Sequence, residues 1–85
     1  MQVLIPSALR SYTRTARAEA EGATLAELLA DLDRRHPGLR FRMVDEQGRL
    51  RAHMRVFVNG LAVRDLDHPI VPSDDVAIVQ ALSGG

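Results

Sequence analysis

Hydrophobic and polar positions alternate with period two near both ends of this chain and with a helical period between them. Met1, Val3 and Ile5 share one side of an opening stretch that ends at Pro6, which predicts a first strand. Ala16, Ala18 and Ala20 alternate with mostly charged neighbours and predict a second strand, joined to the first as a hairpin through a loop starting at Pro6. Residues 23–38, ATLAELLADLDRRHPG, change the period. Leu25, Leu28, Leu29 and Leu32 recur at the spacing of a single helix face. Thr24 with Glu27 three residues on has the form of a capping box, which satisfies free amides at a helix start. Arg34 and Arg35 stand where a helix C-terminus favours positive charge, and His36-Pro37-Gly38 stops the run.

Beyond the helix, a short extended piece is expected near Phe41 and Met43, followed by a polar turn from Asp45 to Gly48. Met54, Val56 and Val58 then alternate with Arg55 and Phe57, a strand closed by the tight-turn dipeptide Asn59-Gly60. Leu61 to Leu66 reads as a short edge strand, and two prolines mark the connection to a last strand in which Val76 and Ile78 oppose Ala77 and Val79. The order strand, strand, helix, strand, strand, strand predicts an α+β fold. A mixed sheet packs on one main helix, with the first and last strands parallel at its centre. This is the ubiquitin-like β-grasp arrangement, and it divides the chain into a β-grasp domain, residues 1–82, and a free C-terminal tail, residues 83–85.

Composition narrows the function more by exclusion than by suggestion. Eighty-five residues, 46% hydrophobic and 26% charged, suit one soluble domain with a core that must be aliphatic, since there are two Phe, one Tyr and no Trp. Eleven basic residues balance eleven acidic ones, so nothing argues for nucleic acid, and no apolar run approaches a membrane span. The opening residues lack a secretory leader, and a cytoplasmic location is the expectation. Without cysteine there is no disulfide, thiolate metal site or thiol nucleophile. His36, His53 and His68 are too scattered for a metal site, Asp74 and Asp75 read as a solvated turn, and no ordered triad or nucleophile elbow occurs. Arg49, Arg51 and Arg55 form a basic strip read as a solvated face rather than a docking site. All eleven basic side chains are arginine, so no lysine is available for self-conjugation.

The segments EGATLAELL, FVNG at 57–60, DHP at 67–69, DDVAIV at 74–79 and the final SGG stand in the order found in the ThiS/MoaD family of ubiquitin-like sulfur carrier proteins, which this chain resembles over nearly its whole length. The stretch RMVDEQGRLRAHMRVFVNG is more similar to carriers serving cysteine or siderophore-type sulfur assembly than to the shortest thiamin-type carriers. Two positions depart from the family pattern. Ser73 stands where a glycine usually precedes the acidic pair, and Gln80-Ala81 stand where many molybdopterin-type members carry two prolines.

The resemblance implies a carrier, not an enzyme, with no catalytic residues and no bound cofactor of its own. An E1-like adenylyltransferase using ATP and Mg would activate the carboxylate of Gly85. A persulfide donor would supply sulfur, and a downstream synthase would accept it from the resulting thiocarboxylate. Ser83 and Gly84 would thread the partner's channel, where glycine's lack of a Cβ permits passage, with Leu82 the first anchor. Two alternatives remain open: a protein modifier conjugated through Gly85, and a non-catalytic small subunit of a synthase complex. For docking, alternation turns Phe57 and Val79 to the sheet face away from the helix, with Leu4 or Leu9 nearby. A one-residue register slip would instead bury Phe57.

Overall fold

The computed structural model describes residues 1–81, so the expected tail and the 82/83 boundary lie outside the described residues. Five strands form one mixed sheet in the order β2-β1-β5-β3-β4. They are β1 (Gln2–Leu4), β2 (Arg17–Glu19), β3 (Met54–Val58), β4 (Leu61–Val63) and β5 (Val76–Gln80). β1 and β5 run parallel with Val3 beside Val76 and Leu4 beside Ala77, and every other pairing is antiparallel. The first and last strands therefore lie side by side within the sheet, as the β-grasp reading requires. No helix among the described residues is long and apolar enough to cross a membrane.

The main helix, α2 (Leu25–Arg35), follows from its leucine stripe: Leu25, Leu28, Leu29 and Leu32 are all buried. They meet Val3, Ile5, Met54, Val56, Val76 and Ile78 in one core. Burial of each such side chain contributes on the order of 1.5–3 kcal/mol, which fixes the helix to the sheet. The Thr24 hydroxyl caps the helix by accepting the Glu27 amide at 3.2 Å. The Glu27 carboxylate reaches back one residue further than in the usual box, to the Ala23 amide at 3.2 Å. The next two free amides, of Leu25 and Ala26, donate to the carbonyls of His68 and Leu66 at 3.0 and 2.8 Å. The DHP segment thus closes the start of the helix.

Two stretches differ from expectation. The connection after β1 is not an open loop: a 3-10 turn, Ser7–Leu9, leads into the one-turn helix α1 (Arg10–Thr13), which ends at Arg14 in the left-handed region at φ 60. Leu9 and Thr13, four apart, are the buried pair of this turn, so Leu9 belongs to the core and not to the docking face. Likewise, the piece at Phe41 and Met43 is helical rather than extended: α3 spans Leu39–Met43. The reason is again spacing by four, because Leu39 and Met43 are buried while Phe41 is 63% exposed. The Asp33 carboxylate accepts the Gly38 and Arg40 amides at 3.0 and 3.1 Å and so anchors the start of that helix.

A candidate docking face and the end of the last strand

β5 is central, and its alternation decides what each side of the sheet presents. Val76 and Ile78 are buried, and so are Met54, Val56 and Val58 on β3. The intervening residues face away from α2. Register then places them: Phe57 stands opposite Ala77 and Ala62, Arg55 opposite Val79, and Leu4 beside Ala77. Leu4, Ala77, Phe57 and Ala62 thus cross four strands in one row, and Val79 lies diagonal to Phe57 on the same side. Leu4 and Phe57 are half-buried, and Val79 is 41% exposed. Phe57 is outside the core, so the slipped register does not occur. The structure brings Phe57, Val79 and Leu4 onto one face and leaves Leu9 out of it. Leu82, Ser83, Gly84 and Gly85 fall outside the described residues.

The ladder continues one residue past β5. The amide of Ala81 donates to the carbonyl of His53 at 2.7 Å, which carries the β3–β5 register to the last described residue. On the β1 side of this end of β5 lies a groove of about 450 Å³ between Leu4–Ala8 and Ile78–Ala81, with Arg10 on its wall. Arg10 is held there because its Nε donates to the carbonyl of Ile5 at 3.0 Å. The sequence reading missed the Pro6–Arg10 side of this groove by treating it as loop. The signal was the Leu9/Thr13 spacing, which marks a helical turn.

At the opposite end of the sheet the acidic pair has a structural task. Asp74 accepts from the Val71 amide and from the Asn59 side chain, both at 2.9 Å. These bonds favour its charged form and hold its carboxyl below the usual range, with the Val71 amide the larger cause. Asn59 also exchanges two bonds with Asp75, donating its amide to the Asp75 carbonyl and accepting the Asp75 amide on its side-chain oxygen. The β3–β4 turn, with Asn59 at φ 52 and Gly60 at φ 84, is thereby latched to the start of β5. Ser73 avoids positive φ, so the position needs no glycine.

Comparison with known proteins places this geometry in context. The ThiS family model matches residues 3–85. The sulfur carrier protein CysO of Mycobacterium tuberculosis is 33% identical over 89 residues, spanning 98% of this chain and 96% of that protein. A chain of the Amycolatopsis orientalis BexX/CysO complex superposes with a TM-score of 0.90 at 35% identity, covering 99% of this chain and 98% of its own. The small archaeal modifier protein 1 of Haloferax volcanii is more distant, with a TM-score of 0.79, 26% identity and coverage of 96% and 97%.

Proposed function

The chain belongs to the ThiS family, and from that premise we propose that it is a sulfur carrier whose working group is the carboxylate of Gly85. One observation supports this reading most. The last described residues, at the end of the central strand, lie beside a half-apolar face, and the match to the ThiS family model runs through residue 85. Carboxylates are poor electrophiles. An E1-like adenylyltransferase overcomes this by letting the carboxylate oxygen attack the α-phosphorus of ATP, with pyrophosphate leaving and Mg serving that enzyme's nucleotide. The terminal sulfur of a persulfide donor then displaces AMP to give an acyl disulfide, and a thiol attacks its donor-side sulfur, leaving a thiocarboxylate at Gly85 and a disulfide between donor and thiol. A downstream synthase takes the sulfur, and the likeness to CysO favours cysteine assembly as the destination.

In this scheme the protein is a substrate of other enzymes. Phe57, Val79 and Leu4 supply the docking face, Leu82 anchors, and Ser83 and Gly84 thread the channel. Deleting Gly84 and Gly85 tests the proposal. Urea unfolding should be unchanged, while ATP–pyrophosphate exchange catalysed by the activating enzyme should be abolished; undiminished exchange by the truncated protein defeats the idea. The likeness to a small archaeal modifier protein supports a second reading, conjugation through Gly85. Mass spectrometry of protein from its native cell separates the two: an oxygen-to-sulfur increment marks a carrier, and isopeptide-linked adducts mark a modifier.

A further inference from the structure

A protein of zero net charge has its charges sorted here. Residues 40–64 carry six arginines and two carboxylates, while the rest of the chain carries five arginines and nine carboxylates. Among the described residues, none of those six arginines lies within 4.0 Å of a carboxylate, since the ion pairs use only Arg34, Arg35 and the Met1 amino group. Three of the six are held by backbone carbonyls instead. Arg51 Nε donates to the Phe41 carbonyl at 2.9 Å, Arg55 donates to that of Ala52, and Arg64 donates to those of Leu50 and Met54 at 2.8 and 3.1 Å. A carbonyl orients a guanidinium without neutralising it, so positive charge is fixed in place and left available.

One part of this region is also shaped. The Arg51 guanidinium lies 4.9 Å from the centre of the Phe41 ring, which is itself 63% exposed. Phe41, Arg42, Glu46, Arg51 and His53 surround a shallow hollow of about 340 Å³. His53 is the residue whose carbonyl holds Ala81, so this shelf adjoins the last described residue of the chain. Arg55, opposite Val79, joins it to the docking face.

We propose that the Phe41–Arg42–Arg51 shelf is a second contact surface, which takes a carboxylate-rich segment of the protein that handles the tail; the partner's identity rests on the carrier reading. Guanidinium forks match carboxylates in geometry, and an exposed aromatic beside them adds apolar contact that a solvated face does not need. Charge complementarity favours a protein over nucleic acid. The shelf is short, carries Glu46 within it and lacks the extended basic track that phosphate backbones require.

The test titrates the isotopically labelled full chain with an octaglutamate peptide and, in parallel, with a thymidine oligonucleotide of equal charge, while amide resonances are followed. The peptide should shift resonances in residues 40–55. Binding should weaken at least about tenfold in Arg42→Glu, an exposed position, and weaken as salt rises through the screening range. Unshifted resonances, shifts centred elsewhere or tighter binding of the oligonucleotide would each overturn the proposal. So would the same shifts on deleting residues 82–85 alone, because the chain's own carboxylate would then be the occupant. The peptide map reads the shelf and the exchange assay reads the carrier assignment, so either can fail without the other.

Discussion

The two faces of the β5–β3 pair share backbone, register and alternation, yet they differ in what covers them. Towards α2, Met54, Val56, Val58, Val76 and Ile78 are each at most 5% exposed and belong to one core with the leucine stripe. Away from α2, Phe57 and Ala77 are half-buried and Val79 is 41% exposed, with no second layer over them among the described residues. Residues one position apart therefore meet different surroundings, a packed core on one side and the proposed docking face on the other. Substitutions at Ile78 and Phe57 should separate the two.

Ile78→Ala should produce the largest loss. It leaves a cavity beneath α2 and should cost about 2–5 kcal/mol in urea unfolding. A cost near that of a surface change would mean that the inner face is not the packed one. Gly22→Ala should come next, through backbone rather than core. A Cβ at Gly22 would lie 2.4 Å from the Leu28 nitrogen and 2.8 Å from the Glu27 carbonyl carbon, both backbone atoms of α2. Relief requires the chain before the helix to move away, at about 1–3 kcal/mol. Wild-type stability in this variant would mean that the approach to α2 is looser than the structure has it.

Phe57→Ala sharpens the contrast from the other side. Its ring sits in the row between Ala77 and Ala62, outside the core, so truncation should cost about 1 kcal/mol or less. Affinity for the activating enzyme should fall in the same variant, as expected for an aromatic at the centre of a contact. A loss of about 3 kcal/mol in folding stability with unchanged affinity would move Phe57 from recognition to packing.

These strands were legible in the sequence because period-two alternation and burial agree along them. The same holds for α2, where the leucine spacing and the Thr24 cap point one way. The sequence failed where two short periods overlap. Phe41 and Met43 are two apart and suggested a strand, while Leu39 and Met43 are four apart and are the pair that packs. Leu9 looks like a surface residue in the sequence because its partner in spacing, Thr13, is polar, and only the fold shows the two as a buried pair. That Phe57 and Val79 share the outer face was reachable from alternation alone. The groove at Pro6–Arg10 and the arginine shelf were not, because both arise where separate segments meet. Arg51 reaches Phe41 across ten residues, and Ala81 reaches His53 across twenty-eight, distances over which no local pattern operates.

The smallest effect is a pH dependence that belongs to the helix side alone. Asp31 on α2 accepts the Glu21 amide at 2.9 Å and pairs with Arg34 and Arg35, tying the end of the β2 segment to the helix. The Glu21 amide is the largest cause and the arginines follow, and together they lower its pKa from 3.8 to about 2. A carboxylate whose folded pKa lies below its unfolded value stabilises the fold above the unfolded value and loses that contribution as pH falls through the folded one. Stability from Asp31 should therefore be complete above about pH 4 and decline toward pH 2. Urea unfolding across that window should give a shallower slope for Asp31→Asn than for the wild type, with the two curves converging at the acid end. Asp45 and Asp74, also lowered by amide bonds, keep the variant's slope from vanishing. Resonances of Phe57, Ala77 and Val79 should stay where they are in Asp31→Asn, because Asp31 sits in the helix layer and those residues face the opposite side of the sheet. Parallel curves for variant and wild type would mean that the Glu21 and arginine contacts do not lower the Asp31 pKa in solution; moved outer-face resonances would mean that the two faces are not independent.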